Sequence, residues 1–234
     1  MNIALITAGG CGQRMGKEIP KQFLSVEDKP IIIYTLEKFQ NHPAIDKIIV
    51  ACKEGWKQIL ESYCKQFKID KLECIIKGGE NGQESIKNLI EKAREKYDED
   101  DIVLVHDGIR PMVSADIISD SIYVCKEKGC AIASIPCREA MLYTDDKESS
   151  EKQIMRDLLV RTQTPQAFRL KDLYNMHIEA KQKGISNSVA SCTLAVELGK
   201  KVYFSLGSEK NLKITVPDDL DIFKALLNMN KRNF

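Results

Sequence analysis

The sequence lacks a dominant charge and a long apolar run, and we expect no signal peptide. Its 234 residues carry 35 lysines and arginines against 34 aspartates and glutamates, which leaves a net charge of +1. A chain this close to neutral gives no electrostatic reason to expect a nucleic acid or an anionic membrane surface as a partner. No apolar run approaches the roughly 20 residues of a membrane span, and no basic segment precedes the short apolar start MNIALITAGG. We therefore expect a soluble, cytoplasmic protein with neither nucleic acid nor membrane as a partner.

The eight cysteines form no C-x-x-C pair, and their spacings do not resemble those of zinc ligands. A disulfide framework is not expected, because a chain of this length with 43% hydrophobic residues can be stabilised by burial. Several cysteines lie in apolar runs, such as Cys52 after IIVA and Cys74 before II, where a thiol behaves as a small core residue. The cysteines are therefore expected to be reduced.

The sequence contains no Pro/Gly/Ser linker, low-complexity tract or internal repeat, so residues 1–234 are treated as one domain. Two segments, 30–40 with Pro30 in its first turn and 84–95, place apolar residues on one helical face. Strands alternating with helices predict an α/β fold, a mostly parallel sheet with helices on both faces and an active site beyond the carboxyl ends of its strands. Short runs rich in branched apolar residues suit buried strands at 2–7, 46–51, 72–77, 101–105 and 131–135.

One segment, 138–157, breaks this alternation. It has a short apolar core, a charged middle and little to bury. One interpretation is a solvated surface loop. The other is a hairpin arm with its turn near DDKESSE, projecting from the domain to meet a partner.

A glycine-rich turn follows the first predicted strand in TAGGCGQRMGKEIPKQF. Gly9, Gly10 and Gly12 allow backbone N–H groups to approach a phosphate chain closely. The dinucleotide pattern G-x-G-x-x-G would need a glycine where Met15 stands, and a P-loop would need Ser or Thr where Glu18 stands. Both of those phosphate-binding patterns therefore fail on spacing.

Two cations, Arg14 and Lys21, follow the glycines within a dozen residues. In-line attack on a phosphate spreads negative charge over its oxygens, and positioned cations together with a metal ion stabilise that charge. A lone lysine is more often a solvated loop charge, but the glycines beside this pair favour a role at the α-phosphate of a nucleoside triphosphate.

The fourth predicted strand runs into DIVLVHDGIRP. Asp107 stands directly after this buried strand, where ligands bind in such sheets. Its carboxylate suits Mg²⁺ or a sugar hydroxyl, although capping of the next helix is a rival interpretation. Arg110 follows in the same turn. His106 is interpreted as structural, because transfer to an already ionised phosphate needs no general base.

Five stretches in order along the chain carry a family resemblance: AGGCGQRMG…PKQF, GGENGQES, VLVHDGIRP, TQTPQAF and NLKIT…DDL. Together they resemble the cytidylyltransferases typified by 2-C-methyl-D-erythritol 4-phosphate cytidylyltransferase and ribitol-5-phosphate cytidylyltransferase. The resemblance implies a Rossmann-like nucleotidyltransferase domain that uses CTP and Mg²⁺. It also implies a homodimer in which 138–157 is a β-arm exchanged between subunits.

The resemblance also implies roles for individual residues. The expected catalytic residues are Arg14, Lys21, Asp107 and Lys213, with Asp107 also the expected metal ligand. The expected nucleotide-binding residues are Ala8, Gly9, Gly10, Gly12, Gly79, Ser85 and Asp107. The expected acceptor-binding residues are Arg110, Thr164, Lys213 and Arg156, the last acting from the arm on the partner's site.

Three departures from the family pattern fall on the acceptor side. Gly82 stands where an arginine is usual, Glu139-Ala140 stand for Asp-Thr, and Asn187-Ser188 stand for Thr-Asp. The leading hypothesis is cytidylyl transfer to a polyol phosphate resembling ribitol 5-phosphate, for cell-wall or capsular polymers. One alternative is 2-C-methyl-D-erythritol 4-phosphate as acceptor, for isoprenoid synthesis. The other is a CTP-binding protein that has lost catalysis.

Overall fold

The computed structural model describes residues 1–10 and 19–232. The strands are β1 (Asn2–Ala8), β2 (Ser25–Val26), β3 (Lys29–Pro30), β4 (Lys47–Cys52), β5 (Leu72–Lys77), β6 (Ile102–Asp107), β7 (Cys130–Pro136), β8 (Met141–Tyr143), β9 (Lys152–Ile154), β10 (Val160–Arg169) and β11 (Phe204–Leu206). The helices are α1 (Ile31–Gln40), α2 (Lys57–Gln66), α3 (Gly82–Arg94), α4 (Ala115–Lys128), α5 (Leu170–Gln182), α6 (Ser191–Glu197) and α7 (Pro217–Arg232), with 3₁₀ turns at Lys21–Phe23 and Arg156–Leu158.

Seven strands of the described chain form one sheet in the order β11-β7-β10-β6-β1-β4-β5. Strands β5, β4, β1 and β6 pair in parallel. Strand β10 lies antiparallel between β6 and β7, and β11 pairs in parallel with β7. The prediction of a mostly parallel sheet is confirmed, and β10 is the strand that reverses direction.

Helices cover both faces of this sheet, as predicted. Along β1, Ala4 and Ile6 pack into a core beneath α1, α2 and α4, whereas Ile3 and Leu5 pack into a second core beneath α3, α5 and α6. Because successive side chains of a strand point to opposite faces, a strand buried on both sides is apolar throughout. That is why NIALIT was recognisable as a strand.

All five predicted strands are present within one or two residues at each end, whereas β10 and β11 were not predicted. Strand β10 reads VRTQTPQAFR, and its polar residues hide the apolar alternation expected of a strand. Gln163 and Gln166 are nevertheless buried, with their amides hydrogen-bonded to neighbouring groups. Burial of satisfied amides is physically allowed but is not visible in a hydropathy pattern.

Two helix starts differ from the predicted ones. The sequence predicted that Pro30 lies in the first turn of α1. In the structure Pro30 is instead the N-cap of this helix, in extended conformation. Helix α3 begins at Gly82, two residues earlier than predicted, because the side chain of Asn81 accepts the amide of Glu84 and caps the helix. Helix α7 begins at Pro217, with Asp218 and Asp219 in its first turn.

The segment 138–157 contains a hairpin, as one of its two interpretations predicted, and a contact of this hairpin with a partner stays a prediction. Strands β8 and β9 pair antiparallel with Met141 opposite Ile154 and Tyr143 opposite Lys152. The intervening turn is held by Asp146, whose carboxylate accepts the amides of Glu148 and Ser149. None of the described helices is long and apolar enough to cross a membrane.

Candidate active site

The carboxyl ends of β1, β5 and β6 surround a cleft of about 260 Å³. This is the edge of the sheet at which the sequence predicts a ligand site. Residues that line the cleft include Ala8, Gly9, Gly10, Lys21, Gln22, Gly79, Asn81, Ser85, Asp107 and Lys213. Most of the predicted nucleotide-binding residues are thus brought together by strands far apart in the sequence.

The turn after β1 is anchored by Gln22, which the sequence analysis did not single out. Its buried amide donates to the carbonyl oxygens of Ala8 at 2.6 Å and Gly10 at 3.2 Å. The glycine turn is therefore tied to the 3₁₀ turn that carries Lys21. Gly12 and Arg14 lie outside the described residues, so their roles remain predictions.

The second wall of the cleft is the turn between β5 and α3. The amide of Gly79 donates to the hydroxyl of Ser85 over 2.9 Å, and that hydroxyl donates to the carbonyl of Asn81 over 2.9 Å. A Cβ atom added at Gly79 would lie 2.5 Å from Cβ of Glu84, closer than any real contact. Only glycine therefore fits beneath the first turn of α3 at this position.

The carboxylate of Asp107 lies between two cations. Nε of Arg110 donates to one oxygen over 2.9 Å, and Nζ of Lys213 donates to the other over 3.1 Å. Burial alone would raise the pKa of Asp107, but Lys213 and Arg110 outweigh it and lower the pKa to about 2. Helix α4 is capped by Ser114 instead, which excludes the rival interpretation of Asp107 as a helix cap.

A buried hydrogen-bond chain fixes the backbone around Asp107. The amide of Asp107 donates to Oγ1 of Thr164, which lies 3.0 Å from Nδ1 of His106. Nε2 of His106 lies 3.3 Å from the carbonyl of Arg110, so this network is satisfied by the Nε2-protonated tautomer. Burial lowers the pKa of His106 to about 3. The prediction that His106 is structural is confirmed.

A second cavity of about 160 Å³ adjoins the cleft and shares Thr7, Asp107 and Lys213 with it. Its other lining residues include Arg110, Thr162, Thr164, Val189, Ala190 and Ser191. Asp107 and Lys213 therefore stand at the junction of the two cavities. Two of the predicted acceptor-binding residues, Arg110 and Thr164, line the second cavity and not the first.

Lys213 is carried by a loop that two buried amides hold against β10. The side chain of Asn211 donates to Oε1 of Gln163 over 3.1 Å and to the carbonyl of Thr164 over 2.9 Å. Gln163 in turn donates to the carbonyl of Ser208 over 2.9 Å. The backbone oxygen of Asn211 accepts a bond from Arg110. This network fixes where the Lys213 ammonium meets Asp107.

Arg156 is not brought to the cleft within this chain. It opens the 3₁₀ turn after β9, its side chain is exposed, and it donates to the carbonyl of Arg138 over 3.0 Å. It is absent from the described residues that line the two cavities at Asp107. Its predicted role in a partner's site remains a prediction.

This geometry agrees with a match to a known family. The family model described as IspD: 2-C-methyl-D-erythritol 4-phosphate cytidylyltransferase matches residues 2–229. This chain belongs to the IspD family. It is therefore an enzyme of the cytidylyltransferase class.

Relatives named for two different acceptors resemble the chain over nearly its whole length. It is 44% identical to ribitol-5-phosphate cytidylyltransferase of Lacticaseibacillus paracasei, over 97% of this chain and 98% of the relative. It is 36% identical to 2-C-methyl-D-erythritol 4-phosphate cytidylyltransferase of Clostridium acetobutylicum, over 98% and 99%. The solved IspD structure from Francisella tularensis superposes with a TM-score of 0.77 at 28% identity, over 94% of this chain and 97% of that one.

The site residues that sequence reasoning missed lie inside the IspD-family motifs it quoted. Gln22 belongs to PKQF, Gln163 to TQTP, Asn211 to NLKIT and Asn81 to GGENGQES. The available signal was an amide side chain standing inside a motif whose neighbours were already assigned to ligands. Such amides hold the backbone that presents the ligand-binding groups.

Two buried histidines of this IspD-family enzyme make its stability depend on pH. Burial lowers the pKa of His106 to about 3 and of His177 to about 4, below the ordinary value of 6.5. At a pH between the pKa of the folded state and the ordinary value of 6.5, the unfolded chain binds more protons than the folded chain. The free energy of unfolding therefore falls as pH falls below about 6.5. We expect a loss of roughly 2 kcal/mol per histidine by pH 5.

Urea unfolding at pH 7 and pH 5 measures this loss. The variant His177→Gln should lose part of the pH dependence, because it removes one of the buried histidines whose pKa is lowered, whereas His106 and His42 remain. Equal stability of the wild-type enzyme at the two pH values would contradict the assignment of both histidines as buried and neutral.

Proposed function

We propose that the enzyme transfers the cytidylyl group of CTP to ribitol 5-phosphate and releases pyrophosphate. The observation that carries the proposal is the junction of two cavities at Asp107 and Lys213, with the predicted nucleotide residues in one and predicted acceptor residues in the other. The acceptor is inferred from the 44% identity to a ribitol-5-phosphate cytidylyltransferase.

The proposed reaction joins the acceptor phosphate to the α-phosphorus of CTP. A phosphate oxygen of the acceptor attacks that phosphorus, the bond to the bridging oxygen of the β-phosphate breaks, and pyrophosphate leaves with the electron pair. The attacking oxygen is already ionised at neutral pH, so no general base is required. Cations that stabilise charge on the phosphorus oxygens do most of the work. In this proposal those cations are Arg14, Lys21 and Lys213.

Asp107 suits a magnesium ion that arrives with the nucleotide. Mg²⁺ in such sites is usually held by one or two carboxylates together with substrate phosphates, and Asp107 supplies a carboxylate that its two cations keep ionised at neutral pH. The described residues contain no cluster of three or more metal-ligating side chains. The ion is thus proposed to bind through Asp107 and the triphosphate, where it would neutralise phosphate charge.

A panel of acceptors tests the proposal. The enzyme is supplied with CTP, Mg²⁺ and either ribitol 5-phosphate or 2-C-methyl-D-erythritol 4-phosphate, and pyrophosphate release is followed. We expect kcat/KM to be at least about tenfold higher with ribitol 5-phosphate, a difference of about 1.4 kcal/mol in transition-state binding. Omission of Mg²⁺ with excess chelator is expected to abolish turnover.

The same panel separates the alternatives. Turnover of 2-C-methyl-D-erythritol 4-phosphate without turnover of ribitol 5-phosphate would reverse the assigned acceptor. The similarity to the Clostridium acetobutylicum relative favours this alternative. CTP binding by calorimetry without turnover of either acceptor would indicate a binding protein. The ion pair of Lys213 with Asp107 at the cavity junction argues against that outcome.

We also propose that the arm forms a homodimer interface. Leu142 in β8, Met155 after β9 and Leu158 in the following turn are more than 60% exposed, and a cluster of apolar side chains left in water is typical of an interaction surface. Arg156 lies between Met155 and Leu158 in the chain, and in the proposed dimer it would act on the site of a neighbour. Light scattering should give twice the chain mass; a fully active monomer at assay concentration would remove Arg156 from the site.

The proposed location is the cytoplasm. The seven cysteines in the described part of the chain are free, which suits a reducing compartment. Burial raises the pKa of Cys52 to about 11 and of Cys64 to about 12, so neither is a reactive thiolate at neutral pH.

A further inference from the structure

The first turn of α3 holds the loop that leads into the second cavity. Gln83, the second residue of α3, donates from Nε2 to the carbonyl of Ile185 over 2.9 Å. Its Oε1 accepts the backbone amide of Ser188 over 2.8 Å. One side-chain amide thus bonds two backbone groups three residues apart. Since both partners belong to the loop, its position and orientation against α3 are fixed together.

The far side of this loop is also held. Ser188 is buried, and its hydroxyl donates to the carboxylate of Glu197 in α6 over 2.7 Å. The next three residues, 189–191, line the second cavity together with Arg110 and Thr164. The wall of that cavity therefore follows directly from the segment that Gln83 clamps.

The same turn of α3 faces the first cleft on its other side. Asn81 and Ser85 line the cleft, and Nδ2 of Asn81 also donates to the carbonyl of Ser186 over 3.4 Å. Gln83 lines neither the cleft nor the second cavity. Its side-chain amide hydrogen-bonds to the loop, so the loss of these bonds is expected to act on the reaction through the loop.

We propose that Gln83 is a positioning residue that shapes the acceptor subsite by fixing the loop 185–190 to α3. This inference rests on the proposed function, in which the second cavity receives the acceptor. Two of the departures from the family pattern flank the clamp: Gly82 precedes Gln83, and Asn187-Ser188 lie in the clamped loop. The acceptor preference of this chain is thereby assigned to the joint between α3 and the loop.

Steady-state kinetics of Gln83→Met test the proposal, because methionine keeps the length of the side chain and removes both hydrogen bonds. We expect KM for ribitol 5-phosphate to rise about tenfold, since two hydrogen bonds to the loop are lost, while kcat and KM for CTP stay within about twofold. Gln83→Glu still accepts the Ser188 amide but cannot donate to Ile185, and an intermediate rise is expected. The exposed Gln66→Met on α2 is the matched control.

Amide hydrogen exchange of residues 185–190 provides a readout that needs no acceptor. Exchange in this segment should be faster in Gln83→Met and unchanged in Gln66→Met. If the wild-type enzyme is active and the acceptor KM is unaltered in both Gln83 variants, the proposed role of Gln83 is refuted but the proposed function is not. An equal rise in KM for CTP would have the same meaning. Absence of turnover by the wild-type enzyme with either polyol phosphate would instead refute the proposed function.

Discussion

Replacing Lys213 by methionine is expected to lower kcat by about 100- to 1000-fold, because removal of one preorganised charge-stabilising group typically has an effect of that size. The ammonium lies at the junction of the two cavities, 3.1 Å from Asp107, and 41% of its side-chain surface remains exposed. It is therefore fixed in direction yet accessible to a phosphate. CTP affinity, measured by calorimetry, should fall far less than kcat if the charge acts chiefly in the transition state.

The neighbouring Lys210→Met is the matched control. Lys210 belongs to the same loop, is exposed and is absent from both cavities. Its loss should leave kcat within about twofold, as is usual for an isolated surface charge. A drop in CTP affinity as large as the drop in kcat would instead make Lys213 a ground-state ligand.

The second large effect is expected for Gly79→Ala. The added methyl group would lie 2.5 Å from Cβ of Glu84 and 2.8 Å from its backbone carbon, so the first turn of α3 must shift. Ser85, whose hydroxyl accepts the Gly79 amide, would shift with it. Overpacking of this kind costs about 1–3 kcal/mol, and we expect CTP to bind roughly 10- to 100-fold more weakly.

Gly82→Ala serves as the comparison for this variant. Gly82 lies three residues further along the same turn, and a methyl group there meets no atom within 4 Å. Calorimetry should give a CTP dissociation constant within about threefold of wild type. Similar losses in the two alanine variants would show that the helix start, rather than the packing of Gly79 beneath it, controls binding.

The proposed nucleotide side of this enzyme was easier to predict from the sequence than the proposed acceptor side, for a physical reason. Strands buried on both faces are apolar throughout, so β1, β4 and β6 can be located from local pattern, and with them Gly9 after β1 and Asp107 at the end of β6. The ligand site then follows from the rule that parallel strands present their carboxyl ends at one edge.

The acceptor side depends on groups whose partners are distant in sequence. Gln163 and Asn211 meet across 48 residues, and Gln83 meets Ser188 across 105. An amide buried by such pairing looks like any surface amide in the sequence, because its burial is decided by tertiary contacts. The hydrogen-bonded amides of β10 also interrupt its apolar pattern, so hydropathy alone did not predict that strand.

The reversal of β10 has a consequence for how this enzyme can diversify. Val160 pairs with Pro136, so the hairpin of 138–157 leaves and re-enters the sheet at one edge, beside Thr162 and Thr164. Lengthening that hairpin or changing its side chains would alter the surroundings of the second cavity, the proposed acceptor site, while leaving the glycine turn and α3 unchanged. The hairpin is therefore a second place, besides the clamped loop 185–190, at which a change of sequence can act on the surroundings of the second cavity.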